Sequence, residues 1–242
     1  MLLICDIIFF MSDVSLKQIQ SLMANFELAA FNDIQKFLQL RCLRENDAAL
    51  CDKRIVIING GVASGKSTVA YNFFKQIIGD ELFYLGNDAV YYKMFNHVSP
   101  FDDGYDMARD FTNRKLDEIA QAGKSFVWET VLSKEHKRRF IERCLALGYK
   151  LTNVYVYVDD VVKTYERSKM RVAQGSHSVA LSFIQDRFDK SRKSLEWLVP
   201  ISETNIVINN TDKQPKLEWY KSPTEQFCSS SCPRWVTDLY SK

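Results

Sequence analysis

Short apolar runs recur along the chain, and longer segments with helical spacing separate them. The runs are rich in β-branched residues, which is typical of strands buried on both faces of a parallel sheet. Five strands are predicted in this way: Arg54–Ile58, Glu81–Leu85, Ser125–Thr130, Val154–Val158 and Asn205–Ile208. The intervening segments predict helices, except that the aromatic and turn-rich stretch from Tyr91 to Asp106 is interpreted as a loop. The pattern therefore predicts an α/β fold in which helices flank a parallel five-stranded sheet.

Apolar residues at helical spacing also occupy the segment from Ser12 to about Asp52, ahead of the first strand. Two interpretations of this helical extension remain open. It is either a regulatory element that covers a ligand cleft or an extra pair of helices packed on the edge of the sheet, and the second is favoured. The predicted division of the chain is an N-terminal helical extension at 1–52, a main domain at 53–221 and a C-terminal tail at 222–242. No function is assigned to the tail.

The composition is that of an ordinary globular protein, and it limits the kinds of molecule that the chain is expected to bind. Hydrophobic residues make up 46% of the 242 residues and charged residues 26%, with a net charge of +2. This balance disfavours general binding to nucleic acid or to membranes. The apolar stretch at Met1–Met11 is too short to span a bilayer and lacks the basic start of a signal peptide. The six cysteines are scattered, which predicts free thiols, and a cytoplasmic location is expected.

One motif carries specific chemistry: Gly60-Gly61-Val62-Ala63-Ser64-Gly65-Lys66-Ser67-Thr68 has the G-x-x-x-x-G-K-S pattern of a phosphate-binding loop. It follows the first predicted strand and precedes a predicted helix, as that loop requires. Its glycines allow the backbone to wrap closely around an anion, and the amides of the helix start face phosphate oxygens. Lys66 is predicted to reach the β- and γ-phosphates of ATP or GTP, and the Ser67 hydroxyl to hold Mg²⁺.

Acidic residues end two of the other strands. Asp88 follows the second predicted strand, and Glu129 with Thr130 closes the third. Because open α/β sheets build their sites at the carboxyl ends of strands, both acids are candidates for the site. Asp88 is interpreted as the base for an acceptor hydroxyl or as a Mg²⁺ ligand, with a simple helix cap as the alternative. Glu129 is interpreted as a second position that holds substrate or Mg²⁺.

Arginines cluster around a polar loop farther along the chain. Arg167 and Arg171 lie on the helix before the loop at 173–178, and Arg187 lies on the long helix after it. Such helices predict a lid whose cations neutralise charge during phosphoryl transfer. Arg171 is the best candidate because it lies where the helix gives way to the loop. Solvated surface ion pairs are the alternative for Arg187 taken alone.

The ordered set of motifs resembles the zeta-toxin family of P-loop kinases, and more closely a branch described as predicted ATPases. The motifs are the phosphate loop, Asn87-Asp88, Ser99–Asp102, Trp128–Ser133, Arg171–Val179 and Ile184–Ser191. The resemblance covers about Lys53 to Thr211. It implies a P-loop NTPase fold of nucleotide-kinase type, with ATP or GTP and Mg²⁺ bound at the phosphate loop.

The resemblance also implies roles for individual residues. Lys66 and Asp88 match the catalytic lysine and base, and Arg171 matches a charge-neutralising lid arginine. Glu129 matches a substrate-holding acid. The chain departs from the family where zeta toxins carry a second lid arginine, since the Ser176-His177 segment lies there. His177 and Thr130 are expected among the residues that bind the acceptor. In characterised zeta toxins the acceptor is UDP-N-acetylglucosamine, and an antitoxin helix blocks the nucleotide site.

Three functions are compatible with the sequence. The leading prediction is an ATP-dependent phosphotransferase that phosphorylates a hydroxyl group of a small molecule. A UDP-sugar is the suggested acceptor, and another sugar nucleotide, a nucleoside or a small hydroxyl compound are the alternatives. The first alternative is a nucleotide-binding regulatory ATPase module, in which the N-terminal helices form a partner surface or a built-in inhibitor. The second is a polynucleotide 5′-hydroxyl kinase, which the near-neutral net charge disfavours.

Overall fold

A seven-stranded sheet forms the centre of the part of the chain described by the computed structural model, which comprises residues 14–42, 53–78, 82–95, 103–173 and 179–240. The strands are β1 (Arg54–Asn59), β2 (Phe83–Gly86), β3 (Phe126–Thr130), β4 (Lys150–Tyr157), β5 (Thr204–Asn209), β6 (Lys216–Lys221) and β7 (Gln226–Cys228). They lie in the order β2-β3-β1-β4-β5-β6-β7. The motif at Ser99–Asp102 and His177 lie outside the described residues.

The first five strands are parallel, which confirms the predicted parallel sheet. All side chains of β1 are buried, as expected for the central strand of a sheet with helices on both faces. The sheet is larger than predicted, because β6 pairs antiparallel with β5 and β7 pairs antiparallel with β6. The sequence pattern missed these two because β7, at the edge, has no buried side chain, and the buried residues of β6 are the consecutive Glu218, Trp219 and Tyr220, which do not alternate with exposed ones.

Helices cover both faces of the sheet. They are α1 (Leu16–Ala24), α2 (Phe31–Arg41), α3 (Lys66–Phe73), α4 (Asn87–Phe95), α5 (Asp103–Gln121), α6 (Glu135–Ala146), α7 (Val161–Val172), α8 (Leu181–Lys193), α9 (Leu195–Ile201) and α10 (Arg234–Tyr240). A π-helical turn, Phe74–Ile78, extends α3. Among the described residues, none of the helices combines the length and the apolar character that a membrane crossing requires.

The N-terminal helices α1 and α2 pack on the same apolar core as the sheet. Ile19, Leu22 and Leu38 are completely or almost completely buried there. The Glu27 carboxylate, between the two helices, lies 2.9 Å from Lys75 Nζ and accepts a 3.0 Å hydrogen bond from Tyr71 OH. These contacts match the interpretation of the extension as extra packed helices.

One local prediction is wrong. The stretch predicted as a loop from Tyr91 to Asp106 contains the end of α4 and the start of α5, because the Tyr91 ring is buried and its centre lies 5.9 Å from the centre of the Tyr105 ring. The N-cap of α6 is Lys134, and Asp160 caps α7 by accepting a 2.7 Å hydrogen bond from the amide of Val162.

Candidate active site

The phosphate-binding loop lies between β1 and α3 and depends on glycine at two places. A Cβ atom at Gly60 would lie 2.1 Å from the carbonyl oxygen of Val156, and one at Gly65 would lie 2.1 Å from Asn210 Nδ2. Gly65 also has a φ of +94°, a left-handed conformation that glycine adopts without strain. The loop is therefore pressed against β4 on one side and against the end of β5 on the other.

Two asparagines hold the loop in this shape. Asn59 Oδ1 accepts hydrogen bonds from the amides of Gly60, at 2.8 Å, and Leu132, at 3.3 Å. Asn210 Nδ2 donates to the carbonyl oxygen of Ser64 over 2.9 Å. The sequence analysis missed both residues, although a polar side chain at the end of a buried apolar strand is a usable signal for Asn59.

Lys66 is buried in the loop, and its Nζ donates a 2.6 Å hydrogen bond to the carbonyl oxygen of Gly61. Burial lowers the pKa of Lys66, the charges of Glu129 and Asp88 act to raise it, and the charge of Arg171 acts to lower it further. The ammonium group therefore lies in one electrostatic neighbourhood with three residues from distant parts of the chain. The first-turn amides of α3 and this ammonium group provide donors for phosphate oxygens.

Glu129 lies at the end of β3, opposite the first turn of α3. Ser67 Oγ donates a 2.8 Å hydrogen bond to Glu129 Oε1, and Tyr84 OH donates to Glu129 Oε2. Burial raises the pKa of Glu129, against the opposing effects of Lys66 and the two hydrogen bonds. A hydroxyl and a carboxylate side by side are oxygen ligands of the kind that Mg²⁺ prefers, so this pair fits that ion.

Asp88 lies in the first turn of α4, at the end of β2. It accepts a 3.1 Å hydrogen bond from the hydroxyl of Tyr105 on α5. The Asp88 charge is the largest cause of the raised pKa of Tyr105. For Tyr92, burial is the largest cause of the raised pKa and the Asp88 charge is the second. Because β2, β3 and β1 are neighbours in the sheet, their ends bring Asp88, Glu129 and the phosphate loop together.

Arg171 is brought to this cluster from α7. Its charge helps to lower the pKa of Lys66 and opposes the rise in the pKa of Tyr92, and its Cζ atom lies 4.6 Å from the centre of the Phe31 ring on α2. Its Nε atom is buried and has no hydrogen-bond partner among the described residues. The start of the N-terminal helix α2 therefore lies directly against the predicted lid arginine.

The other predicted lid arginines are placed differently. Arg167 donates to the carbonyl oxygens of Asn210, at 2.7 Å, and Thr211, at 3.0 Å, so it fastens the loop after β5. Burial lowers the pKa of Arg167, and neither Lys66 nor Asp88 contributes to that shift. Arg187 on α8 donates to Ser133 Oγ, beyond the end of β3.

Thr130 accepts a 2.6 Å hydrogen bond from Lys137 Nζ. The sequence analysis missed this lysine, because its position in the first turn of α6 resembles that of an ordinary surface residue. Burial and neighbouring cations lower its pKa to about 7. A lysine with a lowered pKa is thus present beside the predicted substrate residue Thr130.

Comparison with known proteins identifies a fold. No protein-family model matches the chain, and no curated protein sequence matches it. The chain is similar to a structure of the PezAT chromosomal toxin–antitoxin system of Streptococcus pneumoniae, with 12% identity, a TM-score of 0.59, and coverage of 89% of this chain and 90% of that chain. It is also similar to an AvrRxo1-ORF1:-ORF2 complex with ATP, with 11% identity, a TM-score of 0.60, and coverage of 93% and 73%.

At these identities the likeness is one of fold. The chain shares with these structures the α/β fold that the motifs predict, a sheet flanked by helices with the phosphate loop after its central strand. The position of the phosphate loop, between the central strand and the helix that follows it, agrees with that fold.

Proposed function

We propose that the protein is a kinase that transfers the γ-phosphoryl group of ATP to a hydroxyl group of a small molecule. The observation that carries the proposal is the cluster around Lys66. This buried ammonium group is electrostatically coupled to Glu129, Asp88 and Arg171, which come from three different elements. A phosphate loop, a hydroxyl–carboxylate pair, a separate acid and an arginine are the groups that phosphoryl transfer requires.

In the proposed reaction, the phosphates of ATP lie in the loop and Lys66 exchanges its hydrogen bond with Gly61 for phosphate oxygens. The oxygen of the acceptor hydroxyl attacks the γ-phosphorus, and its proton passes to Asp88. The bond from the γ-phosphorus to the bridging oxygen breaks, and ADP leaves with that oxygen. Arg171 donates to the charged oxygens of the transferred group.

Ser67 and Glu129 are the residues that would hold Mg²⁺. When bound, Mg²⁺ neutralises charge on the β- and γ-phosphates. Tyr84 orients Glu129 through the hydrogen bond to its second oxygen, and Tyr105 orients Asp88 in the same way. The protein thus supplies positioning and electrostatic stabilisation, which account for most of the catalysis in this class of reaction.

The acceptor and the partners follow from the resemblance. A UDP-sugar such as UDP-N-acetylglucosamine is the first acceptor to test, with Glu129, Thr130 and His177 as its contacts. An antitoxin protein is the corresponding partner, because the PezAT structure is that of a toxin–antitoxin system. A polynucleotide 5′-hydroxyl kinase is tested in the same assay with an oligonucleotide that carries a free 5′-hydroxyl.

The test is incubation of the protein with labelled ATP, Mg²⁺ and a metabolite extract, followed by mass spectrometry for a new phosphorylated species. Lys66→Ala and Asp88→Asn are expected to abolish the product. Lys163→Ala and Asp110→Asn, which change exposed residues, serve as matched controls. Turnover that is unchanged in both site variants would contradict the proposal, and a labelled oligonucleotide would favour the polynucleotide acceptor.

A regulatory ATPase is the second candidate, and one observation favours it. The Phe31 ring on α2 covers the guanidinium group of Arg171, so the N-terminal helices contact the predicted lid directly. This candidate predicts ATP binding without any acceptor-dependent loss of phosphate. Deletion of the helices is a poor test, because α1 and α2 contribute buried residues to the common core. A point substitution at Phe31 is therefore the appropriate change.

A further inference from the structure

A small cavity lies between the phosphate loop, the end of β4 and the helices α7 and α8. Its walls include Ser64 of the loop, Tyr157 at the end of β4, Thr164 on α7 and Phe188 on α8. The space open to the centre of a water molecule there is about 10 Å³, which is room for one water. We call it the loop cavity.

Two buried hydroxyl groups on residues that line the loop cavity have no hydrogen-bond partner among the described residues. They are Ser64 Oγ and Tyr157 OH, and their residues are only 2% and 4% exposed. Burial is the main cause of the raised pKa of Tyr157, so this phenol stays protonated and keeps its donor. A buried hydroxyl group without a hydrogen bond costs free energy, and such groups normally bond to protein or to internal water.

A third hydroxyl group on the wall of the cavity has acceptor capacity to spare. Thr164 Oγ1 donates a 3.0 Å hydrogen bond to the carbonyl oxygen of Asp160, which leaves its lone pairs to accept. Thr164 is 1% exposed and belongs to α7, the helix that carries Arg171. An internal water typically makes about three hydrogen bonds, which is the number of hydroxyl groups on residues around this space.

The Ser64 hydroxyl group lies on the side of the loop that is packed against β4. A Cβ atom at Gly60 would lie 2.7 Å from Ser64 Oγ and 2.1 Å from the carbonyl oxygen of Val156. The hydroxyl group is therefore close to the backbone of β4. The groups expected to meet phosphate oxygens are different ones, namely the first-turn amides of α3 and the ammonium group of Lys66.

The Tyr157 ring is held in place by other aromatic rings. It stacks on the Tyr155 ring with 6.2 Å between the ring centres, and the Trp235 ring of α10 meets it edge-on at 5.2 Å. Tyr155 OH in turn lies 3.4 Å from Ser191 Oγ on α8. This packing fixes the position of the Tyr157 hydroxyl group, so its partner has to be a molecule that comes to it.

We propose that Ser64, Tyr157 and Thr164 bind one ordered water molecule in the loop cavity. The water accepts a hydrogen bond from Tyr157 OH and donates its two protons to Ser64 Oγ and Thr164 Oγ1. It thereby joins the phosphate loop to β4 and to the helix that carries Arg171. The water site is independent of the proposed kinase function. Its consequence, that Tyr157 is a positioning residue for the nucleotide loop, rests on that function.

The direction of a stability change distinguishes a hydroxyl group bonded to water from an unpartnered one. Tyr157→Phe removes the hydroxyl group alone. If the water is present, the variant loses a hydrogen bond, and the ratio of folded to unfolded protein is expected to fall by about fivefold in denaturant unfolding. Removal of an unpartnered hydroxyl group would raise that ratio. A ratio that rises or stays unchanged would overturn the proposal. Tyr165→Phe, at a half-buried position on α7, is the control.

A shared water also predicts that the effects of two substitutions are not independent. Ser64→Ala is expected to lower the ratio of folded to unfolded protein as well. The double variant with Tyr157→Phe is expected to lower it by less than the product of the two single effects, because both act on the same water. Effects that multiply would overturn the shared site. A crystal structure that resolves other internal waters is expected to show one within hydrogen-bond distance of all three hydroxyl groups, and its absence there would overturn the site directly.

Calorimetric titration with ATP and Mg²⁺ tests the consequence for the phosphate loop. Tyr157→Phe is expected to weaken ATP binding by about threefold, because the loop is less well preorganised without the water. Thr164→Val is expected to weaken it in the same way, and Thr164→Ser, which keeps the hydroxyl group, to restore it. Unchanged affinity in Tyr157→Phe would overturn the positioning role. Failure of the wild-type protein to bind ATP contradicts the proposed kinase instead, and the unfolding and crystallographic results stand apart from it.

Discussion

Ser67 Oγ and Glu129 Oε1 lie 2.8 Å apart and share a hydrogen bond, although 62 positions separate them in the chain. One residue belongs to the phosphate loop and the other to the end of the neighbouring strand β3. The register of the sheet, in which Ile58 lies opposite Glu129, brings them together. This pair links the nucleotide side of the site to the side where the acceptor is expected.

Glu129→Gln is expected to stabilise the protein at neutral pH while it weakens catalysis. Burial raises the pKa of Glu129, so the folded protein holds the Glu129 proton more tightly than the unfolded chain does. The contribution of Glu129 to stability is therefore complete below its unfolded pKa and is lost as the pH rises through the folded pKa. Chemical denaturation at several pH values is expected to show that the variant has a larger free energy of unfolding than the wild-type protein above the folded pKa of Glu129. The difference is expected to be smaller at acid pH.

The same variant is expected to lower Mg²⁺-dependent turnover by roughly a hundredfold, since it removes a charged ligand from the site. Glu142→Gln, which changes an exposed partner of Arg138, is the control and is expected to change neither property by a comparable amount. Full activity of Glu129→Gln would show that the Ser67–Glu129 pair has no part in the reaction.

Tyr105→Phe is expected to slow the chemical step without weakening ATP binding. The variant removes the hydrogen bond that orients Asp88 but leaves the phosphate loop intact. A loss of about tenfold in kcat, with an unchanged KM for ATP, is the expected result for a positioning residue. Tyr165→Phe is the control, because Tyr165 lies within α7 and its ring packs against Lys169. If KM for ATP rises and kcat stays constant, Tyr105 does not act through Asp88.

Phe31→Ala is expected to raise kinase turnover by about two- to fivefold. A cation–π contact of this kind contributes roughly 0.5–1 kcal/mol, and its loss frees the Arg171 guanidinium for the phosphate. Leu28→Ala is the control, because Leu28 is 59% exposed and precedes the same helix. Lower turnover in Phe31→Ala would mean that the N-terminal helices support the lid arginine and do not restrain it.

Gly60→Ala is expected to destabilise the fold more than Gly148→Ala does. Both glycines have positive φ angles, of 155° and 87° respectively. At Gly60 the added Cβ would meet the carbonyl oxygen of Val156 at 2.1 Å, whereas at Gly148 it would meet nothing within 4 Å. Gly148→Ala therefore carries mainly the backbone strain of about 1–2 kcal/mol. Equal losses in denaturant unfolding would show that the phosphate loop is not packed against β4 as described.

The local chemistry of the site was predictable from the sequence. The phosphate loop is a continuous motif, and Asp88 and Glu129 each follow an apolar run that marks a buried strand. Strand ends meet at one edge of a parallel sheet, so these residues could be expected together without any coordinates. The antiparallel strands β6 and β7 were not predictable in the same way, because the buried residues of β6 are consecutive and none of the residues of β7 is buried, so neither strand shows an alternating pattern.

The supporting residues could not be predicted, because their roles come from contacts between distant segments. Asn210 is 146 positions from the loop residue whose carbonyl oxygen it binds. Lys137 and Arg187 resemble surface cations in the sequence, and only the packing of the fold brings them to Thr130 and Ser133 at the end of β3. For Arg167 the sequence suggested a role that the contacts do not support. Its position before the polar loop predicted a lid residue, whereas its guanidinium group donates to backbone carbonyl oxygens after β5.

The most direct test of the account is calorimetric titration of the protein and of Lys66→Ala with ATP in the presence of Mg²⁺. The phosphate loop is predicted to bind one nucleotide in the wild-type protein, with affinity at least about tenfold weaker in the variant, because a hydrogen-bonded cation is lost from the phosphates. Absence of ATP binding to the wild-type protein, or equal affinity in both proteins, would contradict a nucleotide site at this loop.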